Sequence, residues 1–252
     1  MDTVYRPDFE IQDIYLDCFG RVKPSAILYF AQETAGRHCE LLGLDWKTLA
    51  RKELFWAVTR HFVRVTRLPQ PGEVITVETW PMPTTRVAFP RSTAAFDREG
   101  KELFRVISLW VLMDIRTRAL VLPGKSGVEV PGILRGQELP VPGSLALKDP
   151  EQSACRTVAF TELDRNGHMN NTRYLDWVAD LLPASLHKEH PIREFTVCYH
   201  SEAREGDTVR LFHRLSEEGV FQVDAHREWT GDNSGNTRVF SAKALYEGYS
   251  VN

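Results

Sequence analysis

Cysteine is scarce in this chain: four residues in 252, at Cys18, Cys39, Cys155 and Cys198. None stands in a C-x-x-C pair. That excludes a disulfide-stapled scaffold and predicts free thiols in a reducing compartment. Long apolar runs are missing too, and no stretch approaches the about 18–20 residues that span a bilayer. Charge of one sign is not in surplus: 31 basic residues face 34 acidic ones. No basic tract marks nucleic acid or an anionic membrane as a partner. The start, Met1-Asp2-Thr3-Val4-Tyr5-Arg6-Pro7, lacks the basic-then-apolar order of a signal peptide. Together these absences predict a cytoplasmic protein. Gly124 to Gly127 match neither a P-loop nor a dinucleotide fingerprint, so no cofactor is expected. His187 and His190 have a metal-like spacing without further ligands, so no metal is expected either.

What the chain does have is a dense polar run: Leu163-Asp164-Arg165-Asn166-Gly167-His168-Met169-Asn170-Asn171-Thr172-Arg173-Tyr174. It joins an acid, three amides and an imidazole directly before an apolar helical pattern. A helix start offers unpaired N–H groups and a positive dipole end, which suits an anion or oxyanion. A polar loop that only caps a helix is the alternative. Asn170 or Asn171 is the expected N-cap.

The run has a faded copy. Aligning Asp17 with Asp164, a shift of 147 positions, sets Leu16-Asp17-Cys18-Phe19-Gly20-Arg21-Val22 against it, with Leu-Asp and the Gly in register. Ile27, Phe30, Ala31 and Thr34 then match Tyr174, Trp177, Val178 and Leu181 on one helical face. Strand patterns follow each helix: Phe55 to Leu68, Val74 to Trp80, Arg86 to Phe96 and Leu103 to Asp114 in the first half. In the second half they are Phe195 to Ala203, Thr208 to Leu215, Phe221 to Trp229 and Arg238 to Tyr246, the last two joined by a polar Gly/Asn turn. Gly72 and Gly206 fall at equivalent turns. A Pro/Gly-rich stretch that includes Pro123, Pro142 and Pro150 separates the halves. The reading is α+β and duplicated: residues 1–122, a linker over 123–150, and residues 151–252, each half a long helix wrapped by an antiparallel sheet.

A helix wrapped by such a meander resembles the hotdog fold, and two in tandem resemble a double hotdog. The pattern L-D-x-N-x-H-x-N-N-x-x-Y-x-x-W, from Leu163 to Trp177, resembles the signature of the FatA/FatB-like acyl-ACP thioesterases of plants and bacteria. The resemblance implies hydrolysis of a fatty acyl thioester carried on acyl carrier protein. It also implies a further carboxylate, which falls on Glu202 with no gap in the spacing from Asp164. Plant members carry a cysteine directly after that Glu; here the position is Ala203. Water is therefore the expected attacking group.

Thioester hydrolysis needs a positioned water, a proton acceptor and donors for the developing oxyanion. Asp164, Asn166 and His168 at i, i+2, i+4 would share one side of an extended segment. Asn166 can donate to an oxyanion, and His168 can serve as base or donor. Asp164 can orient the imidazole, act as base, or attack through an anhydride. Asn170 and Asn171 mark the helix-start oxyanion site. The first half has Phe19, Arg21 and Leu68 where the second has Asn166, His168 and Glu202, so one active site is expected. The first half is then expected to hold the acyl chain, with Ile27, Phe30, Ala31, Phe55, Trp56 and Val58 as liners. The carrier protein is acidic, and Arg173, Lys188, Arg193, Arg204, Arg210 and Arg214 are candidate basic contacts or an ordinary solvated face. A monomer or a homodimer is compatible with the duplication. An acyl-CoA thioesterase, a non-catalytic acyl-binding module and a hotdog dehydratase are the rival readings.

Overall fold

A computed structural model describes residues 3–136, 139–141, 143–147, 149–228 and 237–249. Met1, Asp2, Pro142, Trp229 and the Gly/Asn turn over 230–236 lie outside the described residues. The chain divides into two compact units, Met1–Pro142 and Gly143–Asn252.

The first unit opens with β1 (Asp8–Glu10), followed by the helices α1 (Pro24–Leu41) and α2 (Trp46–Ala50). A meander follows: β2 (Leu54–Val65), β3 (Val74–Pro81), β4 (Phe89–Phe96) and β5 (Glu102–Asp114). A short β6 (Leu120–Val121) and a turn of helix, α3 (Pro123–Ser126), complete it. The strand order is β1-β3-β4-β5-β2, with β6 on β5 and these pairings antiparallel. Pro24 sits in the first turn of α1, where its missing N–H removes nothing. The expected stripe of Ile27, Phe30, Ala31 and Thr34 is buried along α1.

The second unit repeats the plan with β7 (Gln152–Thr157), α4 (Arg173–Ala179), α5 (Ala184–Glu189), β8 (Ile192–Tyr199), β9 (Thr208–Leu215), β10 (Val220–Arg227) and β11 (Thr237–Tyr246). Its order, β8-β11-β10-β9-β7, is the first order read from the other edge. The leading strands β1 and β7 were not among the expected strands. Both are short, and neither has an alternating apolar pattern long enough to read.

One expectation needs correction. Among the described residues the second half has no long helix: α4 spans 7 residues, and α5 begins after Pro183. Proline disfavours helical backbone at the preceding Leu182 and offers no N–H to continue the ladder. Leu181 therefore lies beyond α4, while Tyr174, Trp177 and Val178 are buried on it. Part of the expected linker is packed. Val128 is buried with Leu49, Leu54, Phe89 and Leu112, and Leu139 with Phe62, Trp80 and Met82. Gly132 lies so close to Met82 that an added Cβ would come 2.4 Å from its carbonyl oxygen. Beyond the boundary, Leu145 accepts a hydrogen bond from Arg238. Pro and Gly marked irregular backbone correctly, but irregular backbone still buries apolar side chains.

Candidate active site

The polar run is not extended. Leu163 and Met169 form a single antiparallel bridge, and the residues between them make a tight loop. The Asp164 N–H donates to His168 O at 2.7 Å, and the Gly167 N–H to Asp164 O at 3.0 Å. Inside the loop Asp164 Oδ1 accepts the N–H groups of Asn166 at 2.7 Å and His168 at 3.3 Å. Gly167 has φ +75°, a left-handed conformation that glycine adopts without strain. Asp164, Asn166 and His168 thus come together around a carboxylate-capped loop, not by strand alternation. Local side-chain-to-backbone bonds of Asp compete with strand geometry, and here they win.

The faded copy folds the same way. Leu16 and Val22 form the matching bridge. Asp17 N–H donates to Arg21 O at 2.8 Å, and Gly20 N–H to Asp17 O at 3.0 Å. Asp17 Oδ1 accepts from Phe19 N–H and Arg21 N–H at 2.8 and 2.9 Å. Gly20 has φ +72°. The shared Asp and Gly therefore have a shared structural task, the making of this loop.

Glu202 lies past the end of β8, not on a strand as expected. The N–H groups of His200 and Ser201 both point to Val239 O, at 2.8 and 3.2 Å, which ends the ladder. The first half ends β2 identically, with Thr66 and Arg67 sharing Leu103 O. After this break the second half brings Glu202 to the loop: His168 Nε2 lies 3.1 Å from Glu202 Oε2. Ala203 secures the approach. Its carbonyl accepts the Met169 N–H at 2.8 Å, and its own N–H donates to the buried hydroxyl of Tyr174. Burial raises the Tyr174 hydroxyl well above its ordinary pKa, so it stays protonated at neutral pH. The imidazole is 15% exposed and the Glu202 carboxylate 41%, so the pair is open to water on its acid side.

The helix-start expectation narrows. Thr172, not Asn170 or Asn171, is the N-cap of α4. The N–H groups of Met169, Asn170, Thr172 and Arg173 are already engaged, by Ala203 O, Glu162 O, Asn170 Oδ1 and Asn170 O respectively. Asn170 is thus a loop-holding residue, and the Asn171 carbonyl accepts the Tyr199 hydroxyl at 2.7 Å. The Asn166 amide lies 3.4 Å from Asp164 Oδ2 through Nδ2, in the same loop as His168. Glu162, which sequence reasoning passed over, holds Trp177 Nε1 at 2.6 Å and so ties α4 to the start of the loop.

The remaining candidates lie elsewhere. Ile27, Phe30 and Ala31 are buried on α1, Val58 is buried on β2, and Phe55 and Trp56 are half-buried there. Trp56 donates to Leu44 O at 3.1 Å and packs edge-on against Phe89. Phe30 packs with Phe9 and Tyr15. Among the basic candidates, Arg173, Arg193, Arg210 and Arg214 pair with Asp176, Glu247, Glu228 and Glu151. Much of their charge is compensated locally. The four cysteines are free, and Ala203 is fully buried beside Glu202. His187 and His190 meet the carbonyls of Ala179 and Glu247 at 2.9 and 3.0 Å. Among the described residues no helix is long and apolar enough to cross a membrane.

Residues 2–122 match the family model of the acyl-ACP thioesterase N-terminal domain, and residues 147–239 that of the C-terminal domain. A palmitoyl-acyl carrier protein thioesterase of Gossypium hirsutum is 26% identical over 229 residues, which is 85% of this chain. A dodecanoyl-[acyl-carrier-protein] hydrolase of Umbellularia californica is 27% identical over 235 residues, or 84% of the chain. The chain spans 55% and 60% of the length of these two relatives, both named as chloroplastic. Among solved structures, an acyl-ACP thioesterase from Bacteroides thetaiotaomicron superposes with a TM-score of 0.84 at 25% identity, covering 97% of this chain and 98% of its own. The 12:0-ACP thioesterase of Umbellularia californica has the same fold, with a TM-score of 0.81 at 24% identity and 98% of each chain covered. With both domain models matched in order along one chain, this protein belongs to the acyl-ACP thioesterase family.

Proposed function

We propose that this protein hydrolyses fatty acyl thioesters of acyl carrier protein, releasing free fatty acid and the carrier thiol. The observation that carries the reading is the His168–Glu202 pair at 3.1 Å, built on the loop that also carries Asn166, in one half only. A carboxylate and an imidazole in contact, open to water, are suited to accept the proton of an attacking water and return it to the leaving thiolate. Asn166 has a second amide N–H beyond the one leaning on Asp164, a suitable donor for the oxyanion. Asp164 acts through the loop. Its Oδ1 already accepts two backbone N–H groups, and its counterpart Asp17 does the same where no such chemistry is expected. That favours a positioning role over attack through an anhydride. The Ala203 methyl leaves no thiol next to Glu202, which fits direct attack by water.

Ile27, Phe30, Ala31, Phe55, Trp56 and Val58 form the proposed acyl-chain lining, and the cytoplasm is the proposed compartment. The test is a parallel assay of one acyl chain presented on carrier protein and on CoA, with release of free acid and thiol measured. Higher kcat/KM on carrier protein is expected. A much higher value on CoA would make this an acyl-CoA thioesterase. Binding without turnover on either substrate would make it an acyl-binding module.

A further inference from the structure

The turn that follows Glu202 is stapled by a guanidinium, and so is its counterpart in the first half, but the two arginines come from different strands. In the first half Arg67 donates to Leu68 O at 3.3 Å and makes a two-pronged bond to Glu73, at 2.9 and 2.7 Å. Glu73 in turn accepts the Gln70 N–H at 2.7 Å. In the second half Arg227 donates to Glu202 O and pairs with Asp207 at 3.1 Å. Asp207 accepts the Arg204 N–H at 2.8 Å. The equivalences follow from a shift of 134 positions, which takes Leu68 to Glu202, Gln70 to Arg204, Gly72 to Gly206 and Glu73 to Asp207.

The charges are exchanged around this common staple. The counterpart of Arg67 is Ser201. Arg227 pairs with Val209, and the matching place opposite Ile75, one step beyond the Thr76–Phe96 pair of the first half, is Asp97. Asp97 lies 3.5 Å from Arg67. So the same carbonyl and carboxylate positions are met from just past the end of β2 in one half, with a two-pronged hydrogen bond to the carboxylate, and from the end of β10 in the other, with an ion pair to it.

We infer that Arg227 is the positioning residue that holds Glu202 against His168. This rests on the site proposed above. Glu202 sits on irregular backbone beyond β8, where no ladder fixes it. A carboxylate that must meet an imidazole within hydrogen-bond reach needs its backbone held from outside. Arg227 grips the residue's own carbonyl and, through Asp207, the far end of the same turn. It touches no reacting atom.

The experiment compares Arg227→Gln, Arg227→Lys and Asp207→Asn, each alone, and Arg227→Gln again in a Glu202→Gln background. Readouts are kcat, KM and amide exchange over residues 203–206. Arg227→Gln is expected to lower kcat roughly tenfold or more with KM within about twofold, the signature of a misplaced group rather than lost binding. Arg227→Lys keeps one of the two grips and should fall between. Asp207→Asn keeps an acceptor but loses the charge, and it carries the test if Arg227→Gln does not fold. Arg67→Gln should raise exchange in its own turn and leave kcat unchanged. In the Glu202→Gln background Arg227→Gln should have less than about a twofold further effect. An equal loss in both backgrounds, or a folded Arg227→Gln with kcat of the parent while Glu202→Gln is impaired, would overturn the inference. Full activity of Glu202→Gln would instead remove Glu202 from the site. Exchange over 203–206 then still decides the staple, raised in its favour and unchanged against it.

Discussion

At Asp17 a carboxylate gathers the N–H groups of Phe19 and Arg21; at Asp164 it gathers those of Asn166 and His168. The bridges, the left-handed glycines and the preceding turns correspond bond for bond. Only the side chains on this frame differ, and only one frame meets a carboxylate from the neighbouring turn. The comparison separates two kinds of residue that a motif runs together. Asp and Gly build the loop in both halves, whereas Asn166, His168 and Glu202 are additions to one.

The largest effects should fall on the additions. Asn166→Ala or His168→Ala is expected to lower kcat by roughly 10²–10⁴ with the fold intact, in steady-state assays on acyl carrier substrates. Parental turnover in both variants would dissolve the distinction between the loops. The Asp pair comes next. Asp17→Ala and Asp164→Ala should each destabilise by about 1 kcal/mol, as for a lost cap, measured by urea unfolding. Only Asp164→Ala should also impair kcat. Asp164→Asn keeps an Oδ1 acceptor and should retain most activity. If it is as inactive as Asp164→Ala, the acid itself takes part in the chemistry.

A third contrast lies in the strands. His61 on β2 occupies the place of Phe195 on β8, buried and bonded to Ser108 at 2.8 Å. Burial pushes the His61 pKa down to about 3. The unfolded imidazole titrates near 6.5, so below that pH the unfolded chain binds a proton that the folded chain refuses. Stability is fully present above about pH 6.5 and falls as the pH drops toward 3. His61→Phe should therefore reduce the stability lost between pH 6.5 and pH 5 by roughly 2 kcal/mol, read from urea midpoints and slopes. An unaltered pH dependence would mean that His61 is not held neutral. The last contrast lies in the loop glycines, at Gly20→Ala and Gly167→Ala. Each forces alanine into a left-handed conformation at about 1–2 kcal/mol. No heavy atom would crowd an added Cβ at Gly167 within 4 Å, so strain alone should act. Unequal losses at the two glycines would show that the loops are not the same frame.

Much of this was legible beforehand because it is local. The α1 stripe follows from the spacing of Ile27, Phe30, Ala31 and Thr34, and the paired turns from Gly72 and Gly206. The second helix misled, because its apolar spacing ran through to Leu181 while Pro183 ended the backbone pattern. Asn170 was misplaced as a helix cap for a related reason. Its side chain binds Thr172 one step earlier and serves the loop. Nothing in the repeat pointed to Arg227, since its counterpart arginine stands at position 67 and not at the aligned place.

The sequence by itself determined the duplication, the four meander strands that follow the helix in each half, and the asymmetry of the two polar runs. These are properties of spacing and residue type, and near neighbours along the chain enforce them. Tertiary structure alone decided which groups meet. Glu202 reaches His168 from 34 positions away. It does so because β8 breaks at Val239 O, Ala203 docks on Met169, and Arg227 on β10 holds the turn. Each of these contacts depends on strand register and not on spacing, and register is fixed only when the whole sheet is in place.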